Sequence, residues 1–191
     1  MSNSISTLYS WTIDCETDFG GRTETTLGVQ QGLPFILEVF RENKVKGLFF
    51  VSSELMKNHR FEIDMIKDKG HEIGSHGHFH FIYKDPWRAK QDREISMAVL
   101  AKYKPVHYRA PKFSYDDGGA YANPNNHIGL LKSIWTGLRP RQDAIYYLHP
   151  FDLVESKNPP NLFCRMWYSR SKDARRHFAN LVQQLPGKVR L

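Results

Sequence analysis

The sequence predicts an α/β fold in which parallel strands are covered by helices. Short β-rich runs alternate with helical patterns along the chain, and the order strand, helix, strand, helix implies parallel pairing with the helices outside. The 191 residues, 40% of them hydrophobic, suffice for one core and are too few for two comfortable ones. We therefore expect a single domain over residues 1–191, built as a barrel or as an open sheet.

Apolar patterns define the elements in the first half of the chain. Strands are predicted over residues 8–14, 46–51 and 71–76. Residues 33–40 carry four apolar side chains at i, i+3, i+4 and i+7, which is the spacing of a helix that buries one face. A second helix is predicted over residues 53–69, from a serine cap to a glycine stop.

A third helix is predicted to begin at Asp85 and Pro86, a capping acid followed by a proline at the first turn. Ile95, Val99 and Leu100 are expected to form the apolar side of this helix.

The rest of the chain predicts fewer elements. These are strands over residues 106–109 and 144–148, a helix over residues 171–185 and the start of a last strand at residues 188–191. Residues 114–140 are rich in turn-forming side chains, and a loop this long in a compact domain is usually functional or disordered.

Reactive side chains follow the predicted strands. They are Asp14 and Glu16 after the first strand, His76 and His80 after the third, Arg109 after the fourth, and His149 after the strand that precedes Pro150. Because the carboxyl ends of parallel strands meet at one edge, we expect these side chains to lie close together.

The histidine spacing indicates a metal site. His76 and His80 lie four residues apart, so a helical turn or tight loop can aim both imidazoles at one point, whereas His78 lies on the opposite phase. Two imidazoles and one carboxylate leave a coordination position open for water, as in catalytic zinc sites. Alternatively, these histidines cap a loop or face solvent.

Two carboxylates separated by a single residue permit a division of roles. One of Asp14 and Glu16 can bind the cation while the other accepts a proton from the attacking water. Asp18 is a third candidate, although an acid at this place can equally cap the following helix. Arg109 is expected to orient Asp14 through its planar guanidinium, and His149 to protonate a departing amine; a surface salt bridge and a structural histidine are the alternatives.

Charge and cysteine content limit the classes of partner and compartment. The net charge of +7 is spread along the chain and favours an acidic partner, such as a nucleotide-sugar, a uronic-acid polymer or a lipid-linked pyrophosphate sugar. No nucleic-acid-binding motif is present. Two distant cysteines indicate neither a disulfide framework nor a cysteine zinc site. Without a signal-peptide pattern or an apolar run of membrane-spanning length, a cytoplasmic location is expected.

Four segments in order resemble the motifs of the polysaccharide deacetylase family, the NodB-type carbohydrate esterases. They are residues 12–16 (TIDCE), 71–80 (HEIGSHGHFH), 108–113 (YRAPKF) and 147–150 (YLHP). The resemblance implies a distorted, incomplete (β/α) barrel of roughly seven strands or fewer. It also implies hydrolysis of N-acetyl, or sometimes O-acetyl, groups on glycans with zinc or a similar divalent ion.

The resemblance also implies a role for each matched residue. Asp14 takes the position of the catalytic base, His76 and His80 those of metal ligands, Arg109 that of the residue that orients the base, and His149 that of the acid.

Three features depart from the family pattern. Cys15 follows Asp14 where a second acid is common, so the carboxylate ligand is expected to be Glu16, or else Asp18. Gly77 stands where serine or threonine is usual, which removes a side-chain hydrogen bond. The groove-lining tryptophan motif of the family is not found, and the substrate-binding candidates are Phe113, Tyr121 and Trp135.

We therefore predict a metal-dependent deacetylase acting on an acetylated amino sugar, a nucleotide-sugar or a carrier-linked glycan during surface polysaccharide synthesis. One alternative is a metal-dependent hydrolase of a small cyclic amide or another non-peptide C–N bond. Another is a degenerate barrel that acts as a binding module without turnover.

Overall fold

A computed structural model describes residues 7–113, 127–130, 144–168, 171–185 and 188–190. The strands are β1 (Thr7–Tyr9), β2 (Trp11–Cys15), β3 (Leu48–Val51), β4 (Glu72–Ser75), β5 (His127–Gly129), β6 (Ile145–Leu148) and β7 (Lys188–Arg190). Five of them form a parallel sheet in the order β4-β3-β2-β6-β5, and β1 pairs with β7 in an antiparallel ribbon.

The α-helices are α1 (Leu33–Glu42), α2 (Arg60–Asp68), α3 (Pro86–Val99), α4 (Leu162–Tyr168) and α5 (Ser171–Gln184). A π-helix (Gly28–Gly32) leads into α1, and 3₁₀ helices cover Ser53–Lys57, Ala101–Tyr103, Pro111–Phe113 and Pro150–Leu153. Over the described ranges the sheet does not close, so the predicted α/β fold, a distorted and incomplete barrel, is confirmed. No helix in these ranges has the length and apolar character needed to cross a lipid bilayer.

The core lies between the sheet and the helices packed on it. Trp11 in β2 contacts the rings of Phe40, Tyr146 and Phe178, with centroids 5.1 to 6.2 Å apart. The four apolar side chains predicted to face the core from α1 are all fully buried. Strands β2 and β3 are buried along their whole length, which is typical of parallel strands covered on both faces. This packing holds the ends of the central strands in fixed positions.

Several element boundaries differ from the sequence predictions. The strand predicted over residues 8–14 is two strands, β1 and β2, separated at Ser10, and the helix predicted over residues 53–69 is a 3₁₀ turn followed by α2. The strand predicted over residues 106–109 is a single bridge between Tyr108 and Ser75. Prolines precede and follow that short segment, and proline cannot donate to a strand ladder.

The prediction for the apolar side of α3 was wrong at two positions. Ile95 and Val99 are 49% and 41% exposed, and only Leu100, just after the helix, is buried. The buried residues of α3 are instead Asp92 and Ser96, because this helix packs against a polar loop rather than an apolar face. The predicted start of the helix is confirmed, since the side chain of Asp85 accepts a hydrogen bond from the Trp87 amide.

Candidate active site

A cavity of about 500 Å³ opens at the carboxyl ends of the central strands. The side chains that line it include Asp14, Glu16, His76, His80, Phe113 and His149. Arg109 lies directly behind Asp14. The residues that the sequence placed after four different strands therefore lie together, as the parallel arrangement predicts.

Glu16, His76 and His80 form a compact cluster of potential ligand atoms. The Nε2 atoms of His80 and His76 lie 2.7 and 3.3 Å from Glu16 Oε2, and the ligand atoms of all three lie within 4.8 Å of one another. Despite these distances, Glu16 Oε2 is buried without a hydrogen-bond partner in the described part of the chain. A buried carboxylate oxygen left unsatisfied between two imidazoles fits the donor set of a divalent-cation site.

The charges in this cluster depend on one another. Burial alone would raise the pKa of the Glu16 carboxyl, but the adjacent His76 and His80 rings lower it well below its usual range. Burial opposes protonation of His76, yet the carboxylates of Asp14 and Glu16 raise its pKa above the ordinary value. A cation bound here therefore competes with protons for these side chains.

The two imidazoles are held in different ways. His76 Nδ1 lies 2.8 Å from the carbonyl oxygen of Arg109, which can only accept, so Nδ1 donates and Nε2 is left facing Glu16. His80 Nδ1 is buried and has no hydrogen-bond partner within the described ranges. Its ring lies against Gly20, where an added Cβ would come within 2.8 Å of His80 Nδ1.

Arg109 fixes the carboxylate of Asp14. Its Nη1 donates to Asp14 Oδ1 at 2.6 Å and its Nη2 donates to Thr12 Oγ1 at 2.8 Å, with all three residues buried. The guanidinium lies 4.2 Å from the ring centroid of Phe50 and 5.1 Å from that of Phe113. Asp14 is therefore held in one orientation beside the cluster of Glu16, His76 and His80.

His149 lies on the other side of Glu16, with its Nε2 3.8 Å from Glu16 Oε1. Its ring stacks on Phe151 with centroids 4.6 Å apart, and its Nδ1 lies 3.5 Å from Asp152 Oδ2. Burial disfavours the imidazolium, but Asp152 and Glu16 outweigh it and raise the pKa of His149 to about 9. Trp167 Nε1 in turn donates to Asp152 Oδ1.

Asp152 and Trp167 also line the cavity, and neither was predicted from the sequence. Asp152 carried a usable signal, because an acid three residues after His149, with Pro150 at the first turn, is the pattern of a capping box. Trp167 carried none, since α4 has no periodic apolar face in the sequence. Its ring belongs to a cluster around Phe19 in which centroids lie 4.7 to 5.7 Å apart.

Asp18 lies outside the cluster of Glu16, His76 and His80. Its carboxylate accepts hydrogen bonds from the Gly28 amide, Thr25 Oγ1 and the Tyr168 hydroxyl, and it is fully buried. It therefore ties the loop after β2 to α4, and Glu16 is the acid beside the imidazoles.

The other candidates occupy different places. His78 points away from the cluster, with its Nδ1 2.8 Å from Ser53 Oγ. Phe113 lies at the cavity wall, edge-on to Tyr147 at 5.5 Å. Tyr121 and Trp135, the remaining substrate-binding candidates, lie outside the described residues.

Comparison with known proteins identifies the relatives of the chain. A family model described as polysaccharide deacetylase matches residues 25–125. A peptidoglycan deacetylase of Helicobacter pylori is 26% identical over 103 residues, which are 53% of this chain. That match spans about a third, 34%, of the length of the curated relative.

Solved structures with the same fold cover nearly the whole chain. A family 4 carbohydrate esterase from Streptomyces lividans, in complex with acetate, aligns with a TM-score of 0.58 and 11% identity over 97% of this chain and 98% of that one. A CE4 family pseudoenzyme from Bacillus anthracis aligns with a TM-score of 0.57 and 15% identity over 94% of this chain and 63% of that one. At these identities the likeness establishes the fold alone.

Proposed function

Since the chain belongs to the polysaccharide deacetylase family, we propose that it is a metal-dependent hydrolase that removes N-acetyl or O-acetyl groups from an amino sugar or glycan. One observation carries the proposal: Glu16, His76 and His80 converge on one point beside the pair formed by Asp14 and Arg109. Two imidazoles and one carboxylate are a donor set suited to zinc.

Glu16, His76 and His80 would hold the divalent cation. When bound, the cation would lower the pKa of a water molecule and polarise the acyl carbonyl. The hydrogen bond from His76 Nδ1 to the Arg109 carbonyl orients this ligand from behind.

Asp14 is the proposed general base. Its carboxylate lies beside the cluster, and the guanidinium of Arg109 contacts only one of its oxygens in the described structure. The second oxygen can therefore accept a proton from the attacking water. The guanidinium of Arg109 also donates to Thr12 Oγ1, and this second hydrogen bond fixes the orientation of Arg109 and so of the Asp14 carboxylate.

His149 is the proposed general acid. With a pKa of about 9 it carries a proton at neutral pH, and its Nε2 faces the cluster while Nδ1 faces Asp152. An imidazolium at this place can protonate the departing amine or sugar oxygen. Asp152 stabilises the imidazolium and fixes the ring.

The residues that line the cavity favour a sugar substrate that bears an acidic group. Phe113, Tyr147 and Trp167 offer aromatic faces for sugar rings, and the cations Arg22 and Lys112 line the same cavity. A nucleotide-sugar or a carrier-linked glycan in surface polysaccharide synthesis combines these features. The biosynthetic role and a cytoplasmic site of action belong to this proposal.

The experiment is a measurement of acetate release. The purified chain is incubated with zinc and a panel of acetylated amino sugars, nucleotide-sugars and glycan oligomers, before and after chelation. We expect release that chelation abolishes and zinc restores. His76→Ala should abolish it, whereas the matched control His78→Ala, from the same loop but facing Ser53, should retain it. Zinc binding without release from any substrate would contradict the proposal.

A binding module without turnover is the second candidate. The cysteine between Asp14 and Glu16, where the family commonly has a second acid, favours it. The same panel separates the two, because a binding module would bind zinc and glycan oligomers and release no acetate.

A further inference from the structure

We propose that Asp92 is a positioning residue that fixes the loop of residues 76–80 and, through it, the imidazole of His80. This inference rests on the proposed metal-dependent function.

Asp92 is a buried carboxylate whose partners all belong to or follow this loop. It is 7% exposed, and its oxygens accept hydrogen bonds from the amides of His78 (2.7 Å) and Phe79 (3.1 Å) and from the hydroxyl of Tyr83 (3.0 Å). No lysine, arginine or histidine in the described ranges forms an ion pair with it. A carboxylate that takes two successive backbone amides without a cation holds the direction of the chain at that point.

Gly77 leaves the space that the Asp92 carboxylate occupies. Its φ of +83° is unfavourable for other residues, and an added Cβ would lie 2.6 Å from Asp92 Oδ2. The usual serine or threonine therefore has no room here. The absence of a side chain at position 77 therefore lets Asp92 approach the loop and bind its amides from α3.

The opposite side of the loop is held by the 3₁₀ helix Ser53–Lys57. The Ser53 amide donates to the Gly77 carbonyl at 3.0 Å, and the Glu54 amide donates to the His78 carbonyl at 3.1 Å. The loop therefore has its carbonyls bound on one side and its amides bound by Asp92 on the other.

His80 depends on this arrangement more than His76 does. The ring of His76 is oriented by the Arg109 carbonyl, whereas His80 Nδ1 has no hydrogen-bond partner within the described ranges. The position of the His80 ring therefore follows from the backbone that precedes it, and Asp92 fixes the two amides at positions 78 and 79.

The test is the affinity for zinc alone, measured by titration calorimetry on Asp92→Asn. In this variant an NH₂ group replaces one of the two carboxylate oxygens. That group donates and cannot accept, so one of the backbone amides at positions 78 and 79, just before His80, loses its hydrogen bond. We expect zinc binding about 10- to 100-fold weaker, the range for residues that orient metal ligands. The matched control is Glu94→Gln, which removes the same charge from an exposed position of α3 and should leave the affinity unchanged.

Melting of the metal-free protein separates positioning from general stability. A merely structural role would lower the melting temperature with and without zinc and leave the dissociation constant of the folded protein unchanged. If Asp92→Asn does not fold, Tyr83→Phe removes one of the three hydrogen bonds and should still weaken zinc binding severalfold.

The inference would be overturned if the variant that folds binds zinc within twofold of the affinity of the parent chain. The proposed function would then still stand. A parent chain that fails to bind zinc would overturn both.

Discussion

At the residue scale, the pair of Asp14 and Glu16 shows how one strand end supports two different roles. Side chains alternate along a strand, so Asp14 and Glu16, at positions i and i+2, reach the same cavity while Cys15 between them is buried in the core. Asp14 meets the guanidinium of Arg109 and Glu16 meets the two imidazoles. Their partners differ in kind, and this difference supports the proposed roles of Asp14 as the base and Glu16 as the ligand.

The first prediction separates the base from the ligands. His76→Ala should abolish zinc retention, because it removes one of three donors. Asp14→Asn should keep zinc and lower kcat by about 10² to 10⁴, the usual contribution of a general base. Metal analysis and acetate release on the same preparations check both. The opposite pattern would exchange the roles of the two acids and make Glu16 the base.

The second prediction concerns pH. The proposed acid must be protonated to act, so kcat/KM should fall as the pH rises through about 9, the pKa of His149. Asp152→Asn removes the main group that raises this pKa, and the alkaline limb should move toward the ordinary histidine value. A full pH profile of both proteins is the measurement. An alkaline limb that stays in place in Asp152→Asn would remove His149 from the role of acid.

At the scale of elements, the sequence predicted those helices and strands whose side chains meet an apolar neighbour. Helix α1 was predicted well because its apolar stripe packs on the sheet. Helix α3 was not, because its buried face meets the loop of residues 76–80, and a polar contact between distant segments leaves no apolar period in the sequence. Helix α4 was not predicted for a different reason: Cys164 and Tyr168 are buried in an apolar cluster with Phe19, but seven residues are too few to show an apolar period.

The third prediction tests how β3 and β4 are joined. His71 is buried against Phe40 and Phe49, its Nδ1 accepts from the Gly47 amide at 3.2 Å, and burial with two nearby lysines lowers its pKa to about 4. Between pH 6.5 and 4 the unfolded chain binds a proton that the folded chain does not. The free energy of unfolding should therefore fall as the pH is lowered through this window.

Urea unfolding at a series of pH values measures this effect. His71→Leu should be less stable at neutral pH, because the Gly47 amide loses its acceptor, and should show a shallower dependence on pH between 6.5 and 4. An equally steep dependence in the variant would assign the effect to other groups.

At the scale of the whole molecule, the candidate site could be predicted because its residues follow strands that the fold brings to one edge. Asp14, Glu16, His76, His80, Arg109 and His149 were all named from the sequence and lie together. Asp92 was not named, since its partners lie in a loop that is distant along the chain, and Asp152 was not named although its spacing from His149 and Pro150 was a usable signal.

The fourth prediction uses the charge of the whole chain. With a net charge of +7 and Arg22 and Lys112 at the cavity, KM for an acetylated sugar that bears phosphate should rise when ionic strength is raised. KM for a neutral acetylated oligomer should change little. Arg22→Gln should reduce the difference between the two substrates. Equal salt dependence for both would argue against an acidic substrate.

Anomalous diffraction at the zinc absorption edge, from crystals of the chain grown with zinc, tests the proposed metal site. We expect a single strong peak within bonding distance of Glu16, His76 and His80, with Asp14 near it and still bound to Arg109. A peak held by other residues, or density in which the two imidazoles turn away from Glu16 with no ion between them, would rule out this site.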